Sequence, residues 1–273
     1  MLKELKTKHF QKNLRCGFYH NPDTGMLKGK FSDSPLREIF GVHHIKVHVF
    51  DSNVVITGAN RGIGFELARQ MSQRGDQVIA ICRHTSDALD GLSGVRVEAG
   101  IDITQEQGIQ ALTERLDGER VDVLINNAGL LVGTQLEQIE DELALYRAQF
   151  EVNTLAPLRV SRALLENLGE GSKVVIITSR MGSITDNTSG GQYAYRISKA
   201  GVNSAGVSLA HELVPKGIAV GLLHPGYVRT GMTKHTGHVD PDEAAGQLIE
   251  RIDALNLAST GQFVHANGEP LPW

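Results

Sequence analysis

From residue 53 onward, the chain alternates between two hydrophobic patterns. Short β-branched and aliphatic runs predict strands over residues 54–56, 78–81, 95–97, 121–125, 174–177 and 219–223. Longer amphipathic stretches between them predict helices over residues 65–73, 105–116, 140–168, 193–214 and 241–255. The strand segments are apolar nearly throughout, as expected where helices cover both faces of a parallel sheet. The alternation therefore predicts an α/β fold with a doubly wound parallel sheet in a single domain.

Composition narrows the class of protein. The 273 residues include 27 Lys and Arg, 31 Asp and Glu and 41% hydrophobic residues, with a formal net charge of −4. These values are typical of a soluble enzyme and argue against a disordered tail or a nucleic-acid-binding protein. The two cysteines, Cys16 and Cys82, are too few for a disulfide framework, which favours a reducing, cytoplasmic location. No apolar stretch is long enough to predict a membrane span.

The first 50 residues differ in charge from the rest. They contain nine basic and four acidic residues, a net charge of +5, which leaves −9 for residues 51–273. They lack a sustained hydrophobic period and the apolar core of a secretory signal. We predict that residues 1–51 form a poorly ordered N-terminal extension, or sequence upstream of the true domain start, and that residues 52–273 form the folded domain. A mitochondrial transit peptide is disfavoured, because the segment is rich in Lys and His rather than Arg and Ser.

A glycine-rich turn follows the first predicted strand. It reads Thr57-Gly58-Ala59-Asn60-Arg61-Gly62-Ile63-Gly64 and leads into a helix. Glycine permits a tight turn and a close approach of the backbone to a pyrophosphate, and the N–H groups at the start of a helix attract phosphate. The strand before the turn and the helix after it favour a phosphate-binding loop over an ordinary loop.

The spacing of the glycines, G-x-x-x-G-x-G after a threonine, resembles that of the short-chain dehydrogenase/reductase family. Further family-like motifs follow in order along the chain: Asp102-Ile103, Asn126-Asn127-Ala128-Gly129, Asn153, Ser179, Tyr195 with Lys199, and Pro225-Gly226 with Val228 and Thr230. The end of the chain, residues 261–273, resembles the C-factor-like and sniffer-like carbonyl reductases. The resemblance implies a Rossmann-type sheet and an oxidoreductase that interconverts a carbonyl compound and an alcohol.

The end of the second predicted strand bears on the choice of dinucleotide. NAD-binding sheets usually place a carboxylate about 20 residues after the glycines, but none lies between this strand and Asp87. Arg83 occupies that region, and Arg61 lies in the glycine turn. Because guanidinium groups bind phosphate through paired hydrogen bonds, we predict NADP(H) rather than NAD(H). The alternative is that both arginines are solvated surface residues.

The resemblance implies the remaining cofactor contacts. Asp102 and the Ile103 main chain would bind the adenine, while Val228 and Thr230 would hold the nicotinamide carboxamide. The cofactor-binding residues predicted in this way are Gly58, Asn60, Arg61, Gly62, Ile63, Gly64, Arg83, Asp102, Ile103, Asn127, Ala128, Gly129, Tyr195, Lys199, Pro225, Gly226, Val228 and Thr230. Considered singly, some of these motifs could be ordinary strand caps or turns.

Tyr195 is the predicted general acid/base. An unperturbed tyrosine titrates near ~10, so its phenolate needs a nearby positive charge at neutral pH. Lys199 follows four residues later on the same helical face, and we expect its ammonium, together with an oxidised nicotinamide, to lower the pKa of Tyr195. Tyr193 is a weaker candidate, because Ile197 rather than a lysine follows it by four residues.

The resemblance implies two further catalytic residues. Ser179 would donate a hydrogen bond to the substrate oxygen, whereas the nearby Ser183 fits the family pattern less well. Asn153 would hold a water in a proton relay; the alternative is a polar residue that kinks a long helix.

Histidines raise the question of a metal site. His43 and His44 with His48, and His235 with His238, have spacings that a helix could bring together. Both groups lie outside the catalytic and cofactor motifs, and the sequence shows no additional ligand or supporting carboxylate that can be placed beside either. We therefore predict no metal.

Partners and competing functions follow from the same motifs. Residues 231–240 would cover the substrate crevice, and this short lid predicts an open site for small or medium carbonyl compounds or alcohols. We expect no nucleic-acid or membrane partner.

The helices 140–168 and 193–214 resemble the family's dimer-forming pair, so we expect a homodimer or homotetramer. Small residues of the second helix could instead pack on the sheet. The alternatives to carbonyl reduction are an NADP(H)-binding sensing or signalling protein, and pteridine or enoyl reduction.

Overall fold

In the computed structural model, the described residues are 52–273 and two short strands. These strands, β1 (Tyr19–His20) and β2 (Leu27–Lys28), pair antiparallel. Apart from them, the predicted poorly ordered extension, residues 1–51, lies outside the described residues.

Seven parallel strands within residues 52–273 form the central sheet. They are β3 (Asn53–Thr57), β4 (Gln77–Ile81), β5 (Val95–Glu98), β6 (Val121–Asn126), β7 (Leu168–Ile177), β8 (Ala219–His224) and β9 (Phe263–His265). Their order is β5-β4-β3-β6-β7-β8-β9. The chain winds outward from β3 to β5 and then in the other direction from β6 to β9, so a topological switch point lies between β3 and β6. The predicted doubly wound α/β sheet is confirmed.

Helices cover both faces of the sheet. Those within residues 52–273 are α1 (Gly62–Gln73), α2 (Asp87–Asp90), α3 (Glu106–Arg115), α4 (Ile139–Phe150), α5 (Ala156–Ala163), α6 (Tyr193–Leu213) and α7 (Pro241–Ala254). Successive residues of β3 alternate between two cores: Val54 and Ile56 pack with α1 and α7, and Val55 packs with α3, α5 and α6. This arrangement explains why the central strands are apolar on both faces.

The predicted continuous helix over residues 140–168 is wrong. After α4 the chain forms one turn of π-helix, Glu151–Leu155, before α5 begins, and β7 already starts at Leu168. Pro157 supplies a physical reason, because it has no N–H to donate to the carbonyl of Asn153 in a regular α-helix.

Strand β9 was absent from the sequence prediction. It has only three residues, and it ends in a histidine, so its hydrophobic pattern is too short to identify. Its pairing with β8 extends the sheet by one strand on the side that carries β7 and β8.

No helix of the described part of the chain combines the length and the apolar character that crossing a membrane requires.

Candidate active site

A crevice of about 430 Å³ opens at the carboxyl edge of the sheet, at the switch point between β3 and β6. All six predicted residues of the glycine turn line it, from Gly58 to Gly64. The predicted residues that line it elsewhere are Arg83, Asp102, Ile103, Asn127, Ala128, Gly129, Tyr195, Lys199, Pro225 and Thr230. The structure thus brings motifs from six separate parts of the sequence to one site.

The glycine turn is held against the end of β6. The Asn127 amide donates to the carbonyls of Thr57 (3.0 Å) and Gly58 (3.1 Å), and the Thr57 hydroxyl accepts from the Asn127 and Ala128 N–H groups. A Cβ on Gly64 would stand 2.4 Å from both the Gly58 carbonyl oxygen and the Asn127 amide nitrogen. Only glycine fits there, and the fit brings the first N–H groups of α1 to the crevice wall.

One end of the crevice carries the residues expected around an adenine. Asp102 accepts hydrogen bonds at one carboxylate oxygen from the Thr104 N–H (3.0 Å) and hydroxyl (2.7 Å). Burial opposes ionisation, but these two bonds and the nearby Arg83 together lower the pKa of Asp102. Asp102 is therefore an anionic acceptor at the crevice wall. Thr104 was not predicted, although an Asp followed two residues later by Thr is typical of an Asx turn.

Two guanidinium groups border the same end. Arg61 caps the start of α1 and Arg83 follows β4; both are exposed and both line the crevice. Within residues 52–273, neither forms an ion pair with a carboxylate. Their charge is thus available to an anionic ligand.

Tyr195 and Lys199 lie at the other end, one helical turn apart in α6. The Lys199 Nζ is 5.8 Å from the centre of the Tyr195 ring and donates to the Ile177 carbonyl at 2.9 Å. Both side chains are buried, which lowers the pKa of Lys199 to about 8. By contrast, Tyr193 is exposed and does not line the crevice.

The pKa of Tyr195 differs from the sequence prediction. Burial raises it to about 12, and a hydrogen bond with the Ser179 hydroxyl opposes that rise. Desolvation of the phenolate thus outweighs the hydrogen bond with Ser179, and the lowering expected from Lys199 together with an oxidised nicotinamide stays a prediction.

Ser179 reaches Tyr195 from the turn after β7. This turn, the 3₁₀-helix Arg180–Gly182, begins with the Ser179 hydroxyl accepting a hydrogen bond from the Met181 N–H at 3.1 Å. Ser183, the weaker candidate, instead bonds the Trp273 main-chain oxygen at 3.2 Å and accepts from the Asp186 N–H. Of the two serines, Ser179 is therefore the one beside the phenol.

Asn153 lies behind the crevice wall in the π-turn. Its side-chain oxygen accepts from the Leu130 N–H, and its amide nitrogen donates to the Leu130 carbonyl, both at 2.8 Å. The same nitrogen also donates to the Ser198 hydroxyl at 3.0 Å. The side chain thus joins the segment after β6 to α6, and its role in ordering a water stays a prediction.

Two predicted cofactor contacts are not on the crevice surface. Gly226 adopts a left-handed conformation (φ 91°), and Val228 is buried and forms a bridge with Val239. Pro225 and Thr230, which flank them along the chain, do line the crevice. Met232 of the lid also lines it and was not predicted.

His224, which ends β8, is another site-adjacent residue that sequence reasoning missed. Burial, together with the positive charges of His265, Arg180 and Lys199, lowers its pKa to about 3, so it is neutral. Its Nδ1 is buried without a partner among the described residues, and its ring meets that of His265 edge to face at 4.9 Å.

Of the histidines considered for a metal site, His235 and His238 are among the described residues. His238 packs edge to face on Tyr227, 5.3 Å between ring centres. Within the described residues, no group of three or more His, Cys, Asp or Glu side chains could hold a metal. His43, His44 and His48 lie outside the described residues.

Comparison with known proteins places this site in a family. The short chain dehydrogenase family model matches residues 52–240. The chain is 41% identical over 228 residues to a 1-hydroxy-2-glutathionyl-2-methyl-3-butene dehydrogenase of Rhodococcus sp. strain AD45, covering 81% of this chain and 100% of that protein. It is also 41% identical over 155 residues to the C-signal protein of Myxococcus xanthus, covering 56% of this chain and 93% of that protein.

Solved structures give the same assignment. The carbonyl reductase Sniffer of D. melanogaster superposes with a TM-score of 0.74 at 28% identity, covering 82% of this chain and 100% of that chain. A carbonyl reductase from Pseudomonas aeruginosa PAO1 in complex with NADP superposes with a TM-score of 0.71 at 31% identity, covering 82% of this chain and 100% of that chain. The resemblance found in the motifs is confirmed: this chain belongs to the short chain dehydrogenase family of oxidoreductases.

Proposed function

We propose that the protein is an NADP(H)-dependent oxidoreductase that interconverts a carbonyl compound and a primary or secondary alcohol, with Tyr195 as general acid/base. The observation that carries the proposal is that Tyr195, which is hydrogen-bonded to Ser179, and Lys199 line the crevice that also contains the glycine turn. Carbonyl reductase neighbours, one of them in complex with NADP, support it.

The adenine end of the crevice suits NADP(H). The N–H groups of α1 would bind the pyrophosphate, Asp102 would accept from the adenine amine, and Arg61 and Arg83 would bind the 2′-phosphate. When bound, the nicotinamide supplies or accepts a hydride at the carbonyl carbon. The fit rests on this chain's own groups, an ionised Asp102 and two arginines without carboxylate partners in the described part of the chain.

The chain's own residues would handle the proton. With a pKa of about 12, Tyr195 is protonated at neutral pH and can donate to the carbonyl oxygen as that oxygen gains charge. The resulting phenolate would be stabilised by the Lys199 ammonium and by the hydrogen bond with Ser179. Oxidation of an alcohol would use the same groups in reverse order.

Conservative substitution of Tyr195 tests the proposal. Oxidation of NADPH would be followed with a panel of aldehydes, ketones and quinones, using the purified protein and its Tyr195→Phe and Tyr193→Phe variants. We expect turnover in the parent and in Tyr193→Phe, and a loss of about 10²-fold or more in Tyr195→Phe, because proton donation contributes on that order. Full activity in Tyr195→Phe would contradict the assignment.

A signalling role is the second candidate, because the C-signal protein is 41% identical over 93% of its length. In that case the signalling activity would require NADP(H) binding but would not require turnover of a carbonyl substrate. The Tyr195→Phe variant separates the two functions: a biological effect that survives this substitution favours signalling, and one that disappears favours catalysis.

We also propose that the protein forms a homodimer or homotetramer through α4 and α6. Tyr146, Phe150, Ala194 and Ile197 border an apolar hollow on these helices, with Phe150 and Ile197 exposed. Small residues of α6 serve packing within the chain as well: a Cβ on Gly206 would lie 2.5 Å from Leu222 of the sheet. Sedimentation of Ile197→Glu, with exposed Val214→Glu as control, tests whether the assembly depends on this face.

A further inference from the structure

The last residues of the chain run back along the edge of the sheet. We name residues 269–273 the strap. The His265 N–H donates to the Glu269 carbonyl at 2.8 Å, and the Leu271 N–H donates to the Phe263 carbonyl at 2.9 Å. The Leu271 side chain is buried against Leu222 and Phe263. Backbone pairing and a buried leucine therefore fix the first part of the strap to β9.

The end of the strap binds a loop 90 residues earlier in the sequence. The Trp273 main-chain oxygen accepts from the Thr185 N–H at 2.9 Å and from the Ser183 hydroxyl at 3.2 Å. The Ser183 hydroxyl in turn accepts from the Asp186 N–H at 3.0 Å. A single main-chain oxygen thus organises the turn formed by residues 183–186.

Two side chains reinforce this contact. The Trp273 indole stacks on the Phe263 ring, with centres 5.5 Å apart and planes 27° apart, so the indole fixes the position of its own main chain. Arg180 forms ion pairs with Asp186 on the loop and Glu269 on the strap, both at 3.3 Å. Strap, loop and the turn that follows Ser179 are therefore joined to one another.

The loop lies between the proposed catalytic groups. It connects the 3₁₀-turn that carries Ser179 to α6, which begins at Tyr193 and carries Tyr195. Its far part is held by Arg196, which donates to the Gly191 carbonyl and the Ser189 hydroxyl. Its near part includes Ile184, an apolar residue that is 80% exposed and follows the turn of Ser179 along the chain.

We infer that the strap is a substrate-positioning element and that Trp273 is its key residue: by holding residues 183–186, it fixes the adjoining turn whose Ser179 bonds Tyr195, and keeps Ile184 in place for the body of a carbonyl substrate. This inference rests on the proposed function. Cofactor affinity would not depend on the strap, because the adenine and pyrophosphate positions are built by the loops after β3, β4 and β5.

Two substitutions at one position test the inference. Trp273→Ala removes the stacking on Phe263, whereas Trp273→Phe keeps an aromatic ring there. The control is Leu257→Ala, an exposed apolar residue of a 3₁₀-helix outside the strap. For each variant we would measure KM and kcat for a carbonyl substrate, the Kd for NADPH, and hydrogen exchange of the Thr185 amide.

We expect Trp273→Ala to raise KM by about three- to tenfold, in line with the loss of an aromatic pair, and to speed exchange at Thr185. The Kd for NADPH should stay unchanged, and Trp273→Phe and Leu257→Ala should match the parent. Unchanged exchange at Thr185 in Trp273→Ala would overturn the holding role, and faster exchange with an unchanged KM would overturn the positioning role. If the parent reduces no carbonyl, the proposed function fails, while Thr185 exchange still tests whether the strap holds the loop.

Discussion

Gly182 packs directly against the main chain of Lys199. A Cβ on Gly182 would stand 2.7 Å from both the carbonyl carbon and the carbonyl oxygen of Lys199. These backbone atoms lie within α6 and cannot move as a flexible side chain could. The contact therefore sets the distance between the turn of Ser179 and the helix that carries Tyr195.

Substitution of Gly182 by alanine should separate these two elements. We expect Gly182→Ala to lower the free energy of unfolding by about 1–3 kcal/mol, as for overpacking elsewhere, and to lower kcat because Ser179 moves away from Tyr195. Denaturant unfolding and carbonyl turnover measure the two effects. Gly246→Ala, in α7 where a Cβ meets only ordinary contacts, is the matched control. Wild-type stability and kcat in Gly182→Ala would contradict this account.

Much of this fold could be predicted from the sequence because local pattern determines it. The apolar runs of β3 to β8 predicted the sheet, and the motifs at their carboxyl ends predicted the crevice. Contacts between distant segments could not be predicted in this way, since no local signal links Trp273 to Ser183. The spacing of Tyr195 and Lys199 was also informative, but it carries no information on burial, which raises the pKa of Tyr195.

Removal of the cationic groups at the adenine end should change cofactor choice. Arg61→Ala and Arg83→Ala should each raise the Kd for NADPH by about 10- to 100-fold, the loss expected for a charge-assisted bond to phosphate, and leave that for NADH nearly unchanged. Fluorescence titration with both cofactors measures this difference. Arg120→Ala, an exposed arginine paired with Asp122 before β6, is the control. Equal losses for NADPH and NADH would show that the arginines do not select the 2′-phosphate.

The buried Lys199 should make carbonyl reduction sensitive to alkaline pH. Its pKa of about 8 means that the ammonium is lost as pH rises through that value, and the Tyr195 phenolate then loses its stabilising charge. We expect kcat for reduction to fall above pH 8, well below the pKa of Tyr195. A pH profile of kcat that stays flat through this region would contradict the role of Lys199.

The same shift predicts a change in stability that does not depend on turnover. Between about 8 and the ordinary lysine value of 10.5, the unfolded chain binds a proton at Lys199 that the folded chain does not. The contribution of Lys199 to the free energy of unfolding should therefore rise with pH across this window. Unfolding in denaturant at several pH values, with the parent and Lys199→Met compared, isolates this contribution.

His224 should make the fold sensitive to acid. Its folded-state pKa of about 3 lies below the ordinary value of 6.5, because the buried ring is desolvated and faces His265, Arg180 and Lys199. Between these two values the unfolded chain binds a proton that the folded chain excludes, so stability falls as pH falls. One such group contributes a slope of about 1.4 kcal/mol per pH unit.

Substitution of His224 measures this slope. We expect His224→Gln to flatten the pH dependence of the free energy of unfolding below pH 6.5, while the exposed His211→Gln control keeps the parent's slope. His265, whose pKa is lowered mainly by burial, is present in both variants, so its own contribution to the pH dependence of the free energy of unfolding is common to them. An identical acid slope in the parent and His224→Gln would mean that the imidazole of His224 becomes protonated in the folded protein near its ordinary pKa.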